Sequence, residues 1–350
     1  MRIVVTGATG NVGTSVLEVL ARDPEVEEVL GLARRVPEIS YPKTTFAAAD
    51  VTKADLAAHF RGADVLIHLA WLIQPSRDRR TTRAVNVDGT ARVLRAAADA
   101  GVPAIVHASS VGAYSPGPKD RAVTETWPTG GIPTSFYSRD KVDTERLLDR
   151  FEEEHPGVRV VRLRPALIFK REAGSEIRRL FAGPFLPSPL LRRGLIPVVP
   201  RTKGLRFQAV HSLDVGEAYR LAATRDVRGA FNLAADPVLD TEVLGRILDA
   251  RPVPVPAGGL RAGAWLTWKL RLQPTPPGWV DMGLNVPLLD STRAREELGW
   301  TPVHRADETL LELLDGMRER AGLATPPLAP AAGGRLRWRE LATGVGGQAR

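Results

Sequence analysis

Tyr137 and Lys141 stand four residues apart in a segment with helical patterning, so both head groups fall on one face and can approach the same point. A free phenol titrates near ~10, too high to accept a proton at neutral pH. A neighbouring positive charge favours the phenolate and brings it into working range. A tyrosine so placed can take the proton of an alcohol as hydride leaves, or return it to a carbonyl as hydride arrives. Spacing alone fits a surface pair equally well, so the surroundings of the two residues must decide.

A second set of residues with chemical potential is a glycine turn. Thr6-Gly7-Ala8-Thr9-Gly10-Asn11-Val12-Gly13 follows the first apolar run and opens an apolar-periodic helix. Backbone N–H groups and a helix N-terminus then face whatever lies over the turn, and a pyrophosphate fits there. The glycine duties are steric: one for the tight turn, one for close approach of phosphates, one for packing helix on strand. An oxidised nicotinamide held by such a turn adds its positive charge beside the tyrosine. NAD and NADP are separated at the end of the second strand, where a carboxylate holds the ribose hydroxyls or an arginine takes the 2′-phosphate. Gly31-Leu32-Ala33-Arg34-Arg35 offers no carboxylate and two guanidiniums, which favours NADP over NAD.

The elements that must position these groups follow from periodicity. Short β-branched runs alternate with helical patterns, as repeated βαβ units do. Strands are expected at 2–6, 28–33, 44–48, 65–70, 104–109 and 158–164, with helices at 12–22, 55–60, 83–100 and 137–154. Runs such as Val65-Leu66-Ile67 are continuously apolar, as when helices cover both faces of a sheet. The fold class is therefore α/β, a doubly wound parallel sheet (Rossmann fold) with a smaller interleaved C-terminal substrate lobe. Residues 1–169 are read as the NAD(P)-binding domain, 170–322 as the substrate lobe and 323–350, rich in Pro, Gly and Ala, as a disordered tail. Pro and Gly thicken through 183–200 and 251–277, which read as long loops shaping a pocket. Around them a strand at 206–210, a helix at 212–223, a strand at 229–234 and helices at 241–248, 291–298 and 306–320 complete the lobe.

The 350 residues include no cysteine, which excludes disulfides, thiolate metal sites, iron–sulfur clusters and a cysteine nucleophile. No apolar run reaches the ~20 residues of a membrane helix, and the N-terminus enters a strand without signal-peptide features, which fits a cytoplasmic setting. His68, His107 and His211 sit at strand ends without metal-ligand spacing, so they read as structural and no metal is expected. The net charge of +8 is concentrated: from residue 170 to 206, Lys170, Arg171, Arg178, Arg179, Arg192, Arg193, Arg201, Lys203 and Arg206 face only Glu172 and Glu176.

The motifs together resemble the extended short-chain dehydrogenase/reductase family, in its NAD-dependent epimerase/dehydratase group, from residue 1 to about 320. The resemblance is carried by the turn at 6–13, Asp50-Val51, His68-Leu69-Ala70, Asn86-Val87-Asp88-Gly89-Thr90, Ser109-Ser110 with Tyr114, Tyr137 with Lys141, Arg164-Pro165, the stretch 208–215 and Leu298-Gly299-Trp300-Thr301-Pro302. It implies that Asp50 contacts the adenine and that Val51, Leu69 and Ala70 belong to the cofactor site. It also implies that Lys141 holds the nicotinamide ribose, and that Ser110, counted back from Tyr114, bonds the reacting oxygen. Asn86 would lie near the nicotinamide, or merely cap a turn. Sugar-nucleotide dehydratases of the family carry Asp-Glu after the catalytic Ser/Thr; Val111-Gly112 stand here, which points to epimerisation or simple alcohol/carbonyl redox.

A nucleotide sugar is the first substrate expected, its diphosphate clamped by the basic segment. A hydrophobic alcohol or ketone, as in the steroid-dehydrogenase branch, is the alternative, and a non-enzymatic NADP sensor the third. Leu180, Phe181, Phe185, Leu186, Leu190, Leu191 and Ile196, with Trp265, Trp268 and Leu270 beside Lys269 and Arg271, suit a lipid surface or an apolar substrate equally well. The helices at 83–100 and 137–154 would pair in a homodimer. No nucleic-acid module is present, and Arg335, Arg337 and Arg339 around Trp338 read as a solvated tail patch.

Overall fold

The computed structural model describes residues 1–182 and 194–330. Its centre is a seven-stranded, wholly parallel sheet. Six strands come from the first half: β1 (Arg2–Thr6), β2 (Glu28–Ala33), β3 (Thr44–Ala48), β4 (Val65–His68), β5 (Ala104–Ala108) and Arg159–Pro165. The strand order is Gly229–Leu233, Arg159–Pro165, β5, β4, β1, β2, β3. The chain therefore reverses its direction of winding between β1 and β4, where the glycine turn lies.

Alternation along β1 shows why the strands read as unbroken apolar runs. Ile3 and Val5 pack with Val16, Leu17, Leu20 and Tyr219 on one face of the sheet. Val4, between them, packs with Leu66, Val93, Leu94 and Ile105 on the other. Both faces are covered by helices, so neither has polar positions to alternate with.

Helix α1 (Asn11–Arg22) covers the first face together with Ser212–Thr224. The two approach closely: a Cβ on Gly216 would lie 2.9 Å from the Ser15 carbonyl oxygen, and the Ser15 and Ser212 hydroxyls meet at 2.9 Å. The second half thus supplies both a helix and the strand Gly229–Leu233 to the central sheet, as interleaving requires. A smaller sheet, Ala235–Asp240, Arg206–His211 and Leu167–Phe169, carries the rest of that half. Trp300 is fully buried in the core, its indole N–H donating to the Asp214 carbonyl oxygen at 2.7 Å.

Several boundaries differ from expectation. β4 ends at His68, so Leu69 and Ala70 have left the sheet. The helix expected at 83–100 starts at Arg79, where the Asp78 carboxylate caps it, and passes through a π turn at Ala84–Asp88 before continuing to Asp99. The stretch 251–277 is not a long loop. Arg251–Pro254 pairs with Val198–Arg201, and a helix runs over Ala257–Lys269 after Pro256. No residue of that helix is buried, so the apolar periodicity that betrays a helix was never required of it. A further helix, Gly278–Asn285, follows. Residues 323–330, read as the start of a disordered tail, pack back onto the body, with Leu328 and Thr325 buried. Residues 331–350, including Arg335, Arg337, Trp338 and Arg339, lie outside the described residues, as do Phe185, Leu186, Leu190, Leu191, Arg192 and Arg193.

Candidate active site

The glycine turn gives each glycine a distinct task. Gly7 has φ +72°, and a Cβ there would lie 2.7 Å from the Ala70 nitrogen. A Cβ on Gly13 would lie 2.4 Å from the Gly7 carbonyl oxygen, so α1 rests directly on the turn. At Gly10 the nearest atom to such a Cβ is 3.6 Å away, and this residue caps α1 without any side-chain partner. The space beside Gly10 and the donors of the first turn of α1 therefore face outward, as binding of an anion requires. Thr9 is buried beside them and Val12 packs on the core. The Asn11 amide donates to the Ile168 carbonyl at 3.3 Å, while its Oδ1 is buried with no partner.

The other expected cofactor residues lie at the same edge of the sheet. Arg34 and Arg35 are exposed where β2 ends. Burial would raise the Asp50 carboxyl, but hydrogen bonds from the Thr52 hydroxyl and N–H, with the charge of Arg34, hold it below the usual range. Val51 is buried against Gly89. The Leu69 N–H donates to the Thr6 carbonyl at 3.0 Å and the Ala70 N–H to the Thr6 hydroxyl at 3.4 Å, which ties the exit of β4 to the turn. Asn86 is fully buried: it accepts from the Leu72 N–H at 2.8 Å, donates to the Leu72 carbonyl at 2.9 Å and reaches Asp140 at 3.3 Å. Its amide fixes the segment that follows β4.

Tyr137 and Lys141 emerge from one face of the helix Phe136–Glu154, started by a Ser135 cap. The Ser110 hydroxyl bonds the Tyr137 phenol and accepts from the Gly112 N–H at 3.0 Å. Ser109 points elsewhere, donating to Glu145. The Lys141 ammonium is buried, donates to the Ala108 carbonyl at 2.6 Å and sits 3.4 Å above the Trp71 ring. Burial pushes Lys141 down to about 7 against the opposing charges of Glu145 and Asp140. Burial likewise pushes the Tyr137 phenol up to about 12, and the Ser110 bond only partly offsets it. The lowering of the phenol expected from a nearby ammonium is absent: desolvation outweighs it, and the ammonium lies 5.7 Å from the ring centre.

Around the phenol stands an aromatic wall that the sequence did not disclose. The Trp71 ring meets Tyr137 edge-on at 5.7 Å, Trp279 lies over it at 4.9 Å, and Phe181 meets Trp279 at 5.0 Å. The indole N–H groups of Trp71 and Trp279 are buried and have no partner. Trp71 had a signal, since it directly follows His68-Leu69-Ala70; Trp279 had none, because its helix arrives from a Pro-rich stretch 142 residues beyond the tyrosine. Gly112 packs against this group: a Cβ there would lie 2.9 Å from the Tyr137 ring and 3.2 Å from the Met282 sulfur. A carboxylate side chain at residue 112 would displace the phenol.

Behind the site, Glu145 anchors the helix of Tyr137 to the sheet. It takes two bonds from Arg164, at 2.8 and 2.9 Å, and one from Arg162 at 3.0 Å. Burial would raise this carboxyl, yet the two guanidiniums bring it to about 2. Arg164 continues to the Tyr114 hydroxyl, which donates to Asn232. His68 is fully used, bonding the Thr6 and Thr90 hydroxyls at 2.6 and 3.0 Å. His107 is buried beside it, and His211 caps the helix Ser212–Thr224. No group of potential metal ligands occurs among the described residues.

Four described residues of the basic segment are committed to the protein. Lys170 is buried, donating to the Thr14 and Ser15 hydroxyls at 2.7 and 3.0 Å. Arg171 pairs with Glu319, Arg201 with Glu242, and Arg206 donates to the Lys119 carbonyl.

With this geometry in place, the sequence match is specific. Residues 3–234 match the NAD dependent epimerase/dehydratase family, and the chain belongs to it. An uncharacterized protein of Mycobacterium tuberculosis is 30% identical over 327 residues, 92% of this chain and 31% of that protein; the chain thus spans about a third of its length. A 3-beta-hydroxysteroid dehydrogenase of Mycolicibacterium neoaurum is 25% identical over 345 residues, 89% of this chain and 90% of that one. A UDP-glucose 4-epimerase of Mycolicibacterium smegmatis is 34% identical over 165 residues, 43% of this chain and 51% of that one. The fold is shared with the dTDP-glucose 4,6-dehydratase of Streptomyces venezuelae, solved with NAD bound (TM-score 0.67, 22% identity, 91% of this chain and 97% of that one).

Proposed function

We propose that the chain interconverts an alcohol and a ketone on a rigid, mainly apolar ring framework, with Ser110, Tyr137 and Lys141 as catalytic residues and NADP preferred to NAD. The observation that carries the substrate class is the wall of Trp71, Trp279 and Phe181 around the Tyr137 phenol. Such rings bury large apolar area and reward a flat partner. The steroid dehydrogenase relative aligns along 89% of this chain and 90% of its own, whereas the epimerase relative aligns along 43% of this one. Of the basic segment that a nucleotide-sugar diphosphate would use, Lys170, Arg171, Arg201 and Arg206 make contacts within the protein, while Arg192 and Arg193 lie outside the described residues.

The residues present fit a dinucleotide. Gly7, Thr9, Gly10, Asn11, Val12 and Gly13 would hold the pyrophosphate, Asp50 and Val51 the adenine side, Arg34 and Arg35 a 2′-phosphate, and Leu69 and Ala70 the nicotinamide side. Asn86 would act by fixing the backbone at Leu72. The bound nicotinamide supplies the hydride acceptor or donor. In reduction, Tyr137 donates its phenolic proton to the carbonyl oxygen that Ser110 holds by a hydrogen bond. In oxidation, the proton leaves the alcohol for the Tyr137 phenolate, which the Ser110 hydrogen bond favours. Val111-Gly112 leaves no second acid or base for elimination. A homodimer paired through the helices of Tyr137 and of Asn86, in the cytoplasm, is the setting this reading assumes.

Intrinsic fluorescence tests the substrate class, because two tryptophans line the site. A 3β-hydroxysteroid added with NADP should quench emission saturably, and Trp279→Ala should weaken its binding about tenfold or more, as loss of a buried aromatic contact does. Saturable quenching by UDP-glucose with no response to the sterol would reverse the assignment.

A further inference from the structure

The helix Ala257–Lys269 lies on the outside of the site. Its body is exposed, yet its side chains are not those of a solvated helix: Trp265, Leu266, Leu270 and, just beyond, Leu272 are 45%, 51%, 59% and 43% exposed. Residues 265, 266, 269 and 270 share one helical face, and Lys269 holds its ammonium 5.1 Å from the Trp265 ring centre. Trp268, on the other side, is held inward beneath the Arg77 guanidinium. From residue 250 to 280 the chain carries Arg251, Arg261, Lys269 and Arg271 and no Asp or Glu. Arg261 is paired with Asp281 at 2.9 Å, and Lys269 beside Trp265 with Arg271 at the helix end supply the positive border of this apolar face. Such a face is complementary to an anionic bilayer surface, where tryptophan rings sit at the headgroup level and lysine stems extend past them to the phosphates.

The same hairpin reaches the chemistry. Ser76 donates to the Pro274 carbonyl at 2.8 Å and Gln74 bonds both Pro274 and Leu180 carbonyls. Thr275 donates to the Phe181 carbonyl, and Trp279 then covers Tyr137. The exposed helix and the aromatic wall are thus two ends of one short segment.

We infer that residues 257–272 dock the enzyme on anionic phospholipid membranes, placing the Trp279 side of the site toward the bilayer surface. Delivery of an apolar substrate by this route rests on the function proposed above; membrane docking itself does not.

Cosedimentation of the full chain with phosphatidylcholine vesicles, with and without phosphatidylglycerol, tests it. Binding should require phosphatidylglycerol and weaken with added salt. It should fall at least about tenfold in Trp265→Ser/Leu266→Ser and in Lys269→Glu/Arg271→Asn, with NADP binding unchanged. Asparagine suits residue 271, whose φ is 59°. No vesicle binding, binding indifferent to these changes, or a solution dimer that Leu266→Ser dissociates would overturn the proposal. Vesicle binding by a chain that turns over only UDP-sugars would leave docking standing and remove the apolar-substrate reading.

Discussion

At the scale of single residues, the decisive competition is between desolvation and charge. Tyr137 is held as a neutral phenol at about 12 and Lys141 at about 7, both because burial penalises the charged form. The resting chain is therefore set to give a proton more readily than to take one. Reduction should run at full rate near neutral pH, while oxidation should climb as pH rises, because only it needs the phenolate. A pH profile measured in both directions checks this; an oxidative rate that falls with pH would be inconsistent with a tyrosine base. Tyr137→Phe should lower kcat by about 10²–10⁴-fold with dinucleotide affinity preserved. Much of this candidate site was legible in the sequence, since the strand–turn–helix context singled out the glycines and the ordered run of motifs, not the spacing alone, singled out Tyr137 and Lys141. The wall of Trp71 and Trp279 was not, because its members are brought together by tertiary folding across 208 positions.

At the scale of elements, the strand–turn–helix at the N-terminus separates two kinds of glycine. A Cβ at Gly13 collides with backbone at 2.4 Å, whereas at Gly10 it meets nothing closer than 3.6 Å within the protein. Gly10→Ala should fold with a melting temperature close to that of the parent and bind dinucleotide at least about tenfold more weakly, as a methyl group would stand where phosphate approaches. Gly13→Ala should lose stability first. Equal dinucleotide affinity in Gly10→Ala would mean that the phosphates lie elsewhere. The βαβ alternation made the central sheet readable, because its central strands β1 and β4 are apolar on both faces. The helix Ala257–Lys269 escaped for the opposite reason: it buries nothing, and three glycines dilute what pattern it has. The π turn at Ala84–Asp88 likewise has no signature in residue type.

At the scale of the whole molecule, three buried ammonium groups make stability depend on pH. Burial lowers Lys119, Lys141 and Lys170 to about 8, 7 and 8, from 10.5 when exposed. Between roughly pH 7 and pH 10 the unfolded chain binds more protons than the folded one, so stability should rise with pH across that window. Above it the raised phenols of Tyr41, Tyr114 and Tyr137, each near 12, reverse the slope. Urea midpoints at pH 7 and 9 would show this, and Lys141→Met should flatten the difference. If the fold brings Tyr137 to an apolar ring alcohol or ketone, nicotinamide absorbance should change when the purified chain meets a 3β-hydroxysteroid with NADP, and not when it meets UDP-glucose. Turnover of the sterol should be abolished in Tyr137→Phe. Epimerisation of UDP-glucose with no steroid turnover, or steroid turnover that survives Tyr137→Phe, would contradict this assignment.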